Sequence, residues 1–315
     1  MFILHLVRKK MKNKIHVIMV ILSGVFWGSS CLFVDYLREG LGLSSTQISA
    51  VRICLAALIL NILLIIKGKG FSLYKISLRS YIIAACSGVF SVLAMCLFYY
   101  GAMIRTSAAI SVILLYTAPV FVMIMSLIFF KERLTAKKIV SFCFAIVGCA
   151  LVSGIASGLE INALGIFLAL MSGFTYSLYG IFTSFFMKEN KEPLVFTALN
   201  FLFAAIVAII ISKPHEIVRI TAGSDNIPLS LLIFFLLALC TAVLPFLLYT
   251  MGLVGVKPDV ASILAFTEPL TACIFGVFVL GQPMDAFGAV GIICVCIAIV
   301  ILNVNFKKKT KKSHN

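Results

Sequence analysis

The chain has little charge. Asp, Glu, Lys and Arg make up 12% of its 315 residues, against roughly 25% in soluble domains. Acid is scarcer still, with 11 carboxylates facing 26 basic side chains. The four histidines, His5, His16, His215 and His314, lie at the termini or in a loop. No metal cluster can form within the apolar segments, so no metal and no cofactor is expected. The ten cysteines all fall in apolar runs and contain no C-x-x-C pair. That spacing fits neither a disulfide framework nor a zinc site, and they read as small apolar fillers. No paired aspartates and no Ser/His pair occur deep in an apolar run, which argues against an enzyme. A GxxxxGK[ST] loop is also absent, which excludes ATP-driven work by this chain alone.

Hydrophobic residues are abundant, at 62%. Runs of about 20 apolar residues, each long enough to cross a ~30 Å hydrocarbon core, follow one another with no polar stretch long enough for a soluble domain. The reading is an all-α integral membrane protein with ten transmembrane helices, at 17–37, 46–66, 81–104, 107–130, 139–152, 163–186, 194–211, 229–253, 260–280 and 287–303. With the N-terminus inside, the cytoplasmic segments hold 21 of the 26 basic residues. Both termini are therefore expected in the cytoplasm. This distribution also accounts for the net charge of +15 without nucleic acid as a partner. Residues 1–16 and 304–315 read as basic cytoplasmic tails. Met11, followed by Lys12, Asn13 and Lys14, would make an ordinary start, so residues 1–10 read as an over-extended gene start.

One run stands apart. Residues 260–280 carry Glu268 and Pro269 at their middle, the only acidic residue deep in a long apolar segment. A carboxylate there costs about 3 kcal/mol on insertion scales, and the proline removes a helix hydrogen bond beside it. The freed carbonyls near Leu264 and Ala265 are expected to join the carboxylate in a polar spot at mid-depth. The blander alternative is a simple kink with Glu268 bonded to a neighbouring hydroxyl. The run also has a twin. Residues 99–145 align with 249–295 at a constant offset of 150, with Thr117 on Thr267 and Pro119 on Pro269. Gly24-Val-Phe-Trp27 likewise falls over Gly173-Phe-Thr-Tyr176 at an offset of 149. The chain divides into five-helix halves, 17–153 and 163–303. Because five is odd, the second half is expected to be inverted relative to the first.

These residues carry a family resemblance. The "VRICLAALIL" of the second span, the "YTAPVFVMIMSLIFFKERLT" of the fourth and its twin "FTEPLTACIFGVFVLGQPMD" resemble the EamA family of the drug/metabolite transporter superfamily. The resemblance covers nearly the whole chain. It implies ten helices, cytoplasmic termini, a central cavity between the halves, and export of amino acids or other small metabolites.

The paired prolines should fall at similar depth on opposite sides of one cavity. Tyr116, Thr117, Thr267, Glu268 and Thr271 are expected to line it beside Pro119 and Pro269, with Trp27, Ser30, Tyr176 and Tyr179 as aromatic and hydrogen-bonding walls. Tyr99, Tyr100 and Tyr249 either gate the cavity or mark the headgroup belt. Arg52 lies ~10 Å inside its span and matches the family's helix-two arginine. Pairing with Asp35 is favoured over recognition of a substrate carboxylate, because buried charges are usually paired. Asn200 holds about the equivalent place in the second half, without charge. Lys257 and Asp259 read as caps of the ninth span.

The function expected is a secondary transporter, an inner-membrane exporter working by alternating access, with Glu268 poised to exchange a proton. A lipid flippase, a small-drug efflux protein or a non-catalytic scaffold are the alternatives. The partners are a small-molecule substrate, the lipid bilayer and at most a second copy in a homodimer.

Overall fold

The computed structural model describes residues 2–106, 108–152, 162–190, 192–279, 281 and 286–303, with backbone only at 2–13, 35, 108, 109, 152, 302 and 303. In chain order its main helices are α1 (Lys14–Gly40), α2 (Ser45–Lys67), α3 (Leu78–Met103), α4 (Ile110–Phe130), α5 (Ala136–Val152), α6 (Ala163–Glu189), α7 (Pro193–Ile211), α8 (Ile227–Gly252), α9 (Pro258–Phe278) and α10 (Ala286–Asn303). Among the described residues, eight of them, all but α5 and α10, are long and apolar enough to cross a membrane. The remaining two, of 17 and 18 residues, pack along each other.

Local chemistry sets the helix starts. Ser44 and Gln47 form a reciprocal capping box at α2, with the Ser44 N–H donating to Gln47 Oε1 at 2.9 Å. Asn162 and Asn226 accept backbone N–H groups at the starts of α6 and α8. Prolines occupy the first turn of α7, α8 and α9, where their missing N–H leaves nothing unsatisfied. A short amphipathic helix, Pro214–Ala222, links α7 to α8.

Several helices are interrupted. A turn at Ser29 and Ser30 breaks α1, and further turns break α4 at Tyr116–Thr117 and α9 at Ala265–Phe266. Wider π-helical turns interrupt α3 at Gly88–Leu93 and α8 at Leu239–Val243. Such turns leave part of the backbone ladder re-aimed and recur at functional sites. At Gly88 the reason is steric: a Cβ would stand 2.2 Å from the Asn200 carbonyl oxygen, so only glycine lets α3 approach α7 this closely.

The neighbours follow a pattern. α1 packs on α8 and α9, while α6 packs on α3 and α4. α2 lies along α7, and α5 along α10. The largest buried cluster runs through α2, α6, α7 and α8 and includes Leu60, Leu64, Phe186, Phe196, Phe201 and Phe246.

Candidate functional site

Two of the broken helices, α4 and α9, present their breaks to the helices that cross them. On α1, a Cβ on Gly24 would lie 2.0 Å from Thr267 Oγ1, and one on Gly28 would lie 2.5 Å from the Glu268 carbonyl oxygen. On α6, a Cβ on Gly173 would lie 3.0 Å from the carbonyl oxygens of Leu114 and Leu115 and 3.2 Å from Thr117 Oγ1. Glycine thus brings α1 to the break of α9 and α6 to the break of α4.

The breaks satisfy themselves. Thr267 Oγ1 lies 3.1 Å from both the Leu264 and the Ile21 carbonyl, and the Glu268 N–H donates to the Ala265 carbonyl at 2.9 Å. Thr117 Oγ1 donates to the Leu114 carbonyl at 2.6 Å. The carbonyls expected to be left free by Pro269 therefore carry hydrogen bonds, because a threonine hydroxyl and an i to i+3 amide replace the lost i+4 donor. The polar character of the break rests on Glu268 itself. Pro119 and Pro269 are buried in the first turns of the second half-helices, where proline fits without distorting the helix.

Glu268 occupies the first turn of the half-helix Thr267–Phe278. The unpaired N–H groups and positive dipole end of a helix favour a carboxylate there. The side chain is half-buried. Its hydrogen-bonding neighbour is the Tyr116 hydroxyl, and Arg52 is close enough to act on it electrostatically. Tyr99 and Tyr176 also lie within its electrostatic reach. The Tyr176 hydroxyl is buried with no hydrogen-bond partner among the described residues. Side chains from α2, α3, α4 and α6 thus lie within electrostatic reach of one carboxylate on α9.

Arg52 is half-buried, with Nη2 3.4 Å from Cys96 Sγ. Among the described residues no carboxylate lies within ion-pair distance of it. The expected partner, the Asp35 side chain, lies outside the described residues. Tyr100, beside Arg52, has its hydroxyl 3.0 Å from Ser49 Oγ and its ring 5.6 Å from that of Tyr99.

A second aromatic group packs around Trp27 of α1. Trp27 has its ring 5.1 Å from Phe246, 5.4 Å from Tyr249 and 6.2 Å from Tyr176. Tyr179 is buried, its hydroxyl 2.7 Å from Thr250 Oγ1, which also meets Thr197. Tyr249 belongs to this packed group, whereas Tyr99 is within electrostatic reach of Glu268 and Tyr100 lies beside Arg52. Ser30 is half-buried in the α1 break, and Thr271 is buried against Gly28. Asn200 lies in the α3–α7 seam, donating to Ser87 Oγ.

Composition did not point to two ion pairs that bind the α4–α5 turn to the start of α9. Lys138 pairs with Asp259, both buried, and Lys257 pairs with Glu132. Asp259 does sit in the first turn of α9, where a cap was expected, but its side chain serves the other half of the chain. Nothing in the sequence signalled the partner, because 121 residues separate Lys138 from Asp259. Among the described residues no three potential metal ligands converge.

The EamA-like transporter family model matches twice, over residues 14–154 and 163–304. The chain belongs to the EamA-like transporter family. Its relatives include an uncharacterized transporter of Bacillus subtilis, YyaM, 26% identical over 90% of this chain and 92% of its own. Another is an uncharacterized inner membrane transporter of Salmonella typhimurium, YicL, 21% identical over 93% and 96%. A protein of known crystal structure shares the fold at a TM-score of 0.74 and 12% identity, over 91% of this chain and 97% of that one. In this EamA chain the boundary between the two matched copies, 155–162, coincides with the connection between α5 and α6. The contacts described above, α1 on α9 and α6 on α4, each join one copy to the other. The protein is a multi-span membrane transporter.

Proposed function

We propose that this transporter is a ten-span exporter of amino acids or related small metabolites in the cell membrane, working by alternating access with Glu268 as its proton-coupled recognition residue. The observation that carries this reading is Glu268 itself: half-buried, at the start of a half-helix, with the Tyr116 hydroxyl as its hydrogen-bonding neighbour and Arg52 within electrostatic reach. A carboxylate and a guanidinium within electrostatic reach of each other suit a zwitterion, whose ammonium would turn to Glu268 and whose carboxylate would turn to Arg52. The aromatic wall of Trp27, Tyr176 and Tyr249 supplies apolar surface for the rest of the molecule.

The halves are inverted in this proposal. Exchange of neighbours supports it, since α1 meets α8 and α9 as α6 meets α3 and α4, and α2·α7 and α5·α10 pair equivalent helices. Ion pairs support a shared cytoplasmic face. Lys67 with Glu192 and Arg79 with Glu189 join the α2–α3 and α6–α7 turns, as Lys257 with Glu132 joins the other two.

Glu268→Gln keeps the shape and can still accept a hydrogen bond, but it cannot release a proton. It should fold and bind substrate yet lose transport driven by a pH gradient in inside-out vesicles, while Glu268→Asp keeps part of it with a shifted pH profile. Wild-type flux and pH dependence in Glu268→Gln would make the residue structural and sink the coupling assignment.

A further inference from the structure

We infer that the groove between the C-terminal end of α6 and the α8–α9 turn is a binding site for the headgroup of an anionic phospholipid. The groove encloses about 520 Å³. Three lysines from three separate segments border it: Lys131 at the end of α4, Lys188 at the end of α6 and Lys257 before α9. One carboxylate, Glu132, is present and is taken by Lys257. Lys131 and Lys188 form no ion pair among the described residues. The site therefore keeps an excess of positive charge, which calls for an anion.

Position says which anion. α4 ends at Phe130 and α6 at Glu189, so the lysines stand where the apolar spans give way to the interface. Lys188 Nζ lies 4.5 Å from the centre of the Phe130 ring, which holds the ammonium at the groove's edge rather than out in water. Beside the lysines the wall turns apolar: Phe129 and Val254 are 54% and 53% exposed. An adjoining hollow of about 430 Å³, bordered by Ser184, Met187, Lys188, Leu253 and Val254, continues from the same edge. A charged end flanked by exposed apolar side chains fits a phosphate carrying acyl chains. A free anion has no use for those apolar flanks. Basic pockets between helix ends at the interface bind lipid headgroups on the same physical grounds.

The probe is phosphatidylglycerol, compared with phosphatidylcholine of the same chains and with inorganic phosphate, added to delipidated full-length protein and followed by native mass spectrometry. Phosphatidylglycerol should bind, with the other two much weaker. The double variant Lys131→Gln/Lys188→Gln should bind it roughly 25-fold more weakly, given about fivefold per interfacial lysine. A control double variant, Lys69→Gln/Lys75→Gln, removes two exposed lysines of the α2–α3 turn and should bind as wild type does. The single Lys188→Gln carries the same test with the smaller loss, so a misfolded double variant does not shield the assignment. Equal binding of the two lipids, an unchanged variant at the groove, or an equal loss in the control would overturn it. Inorganic phosphate binding as well as the lipid would make this a soluble-anion site and overturn the lipid assignment.

Discussion

At Gly24 the absence of a side chain is what lets the site exist, because α9 fills the place where one would stand. A Cβ there would sit 2.0 Å from Thr267 Oγ1 and 3.1 Å from the Glu268 backbone nitrogen. The counterpart at Gly173 is looser, at 3.0 Å from its nearest atoms. Forced overpacking costs about 1–3 kcal/mol, so Gly24→Ala should destabilise the protein by about 3 kcal/mol and Gly173→Ala by clearly less, read from thermal unfolding in detergent. Thr267→Ala removes the closest atom and should recover part of the Gly24→Ala loss; no recovery would mean that the backbone, not the hydroxyl, sets the contact. Tyr116→Phe is the complementary test of chemistry. It keeps the ring that lies 5.2 Å from Phe266 and removes the hydroxyl that Glu268 meets. The variant should fold, and transport should change in its pH profile; an unaltered profile would place the hydroxyl outside the mechanism. Glu268 was legible in the sequence because one charge in an apolar run is conspicuous. Its relation to Arg52 was not, because Arg52 lies on another helix and only the fold decides which charges face each other.

At the scale of the helix, the interruptions matter more than the spans. The span positions were readable from hydropathy, and the α2 and α7 boundaries fall within one residue of those expected. Pro119 and Pro269 marked the breaks correctly, but the carbonyl chemistry there depends on Thr117 and Thr267 hydroxyls turning back on their own helices. Since each proline sits in a first helical turn, replacing both with Ala should leave folding intact while lowering flux; unchanged transport in the double variant would leave the prolines without a role in access. The π-helical turns in α3 and α8 had no visible signal, because a widened turn follows from packing, as at Gly88 against Asn200, and not from local composition. The pairing of Lys138 with Asp259 was hidden for the same reason. Removing one partner of a buried pair strands the other, at a cost of roughly 3 kcal/mol. Lys138→Met should therefore lower stability by about that amount, and Lys138→Met/Asp259→Leu should regain most of it. A double variant no better than the single would show that the pair holds more than its own charges.

Across the whole molecule four of the five ion pairs among the described residues tie the two matched copies together, and the fifth, Lys213 with Glu216, lies in the α7–α8 connection. Lys138 and Glu132 belong to the first copy, Asp259 and Lys257 to the second. A transporter that opens alternately to its two sides must part such contacts on one side while the other closes. The proposed topology, read from the charge distribution, puts the face with Lys257 in the cytoplasm and the α7–α8 connection with Asp225 outside. Residue 157, between α5 and α6, would serve equally but lies outside the described residues. With the native cysteines replaced, a thiol introduced at Asp225 should react with an impermeant reagent in intact cells, and one at Lys257 only after permeabilisation. The reverse result would invert the topology and with it the direction assigned to export. A second measurement then tests the motion. Thiols at Glu132 and Lys257, joined by a short cross-linker, should stop transport, and release of the link by a reductant should restore it, because the face could then part again. Full transport by the cross-linked protein would mean that this face does not open during the cycle.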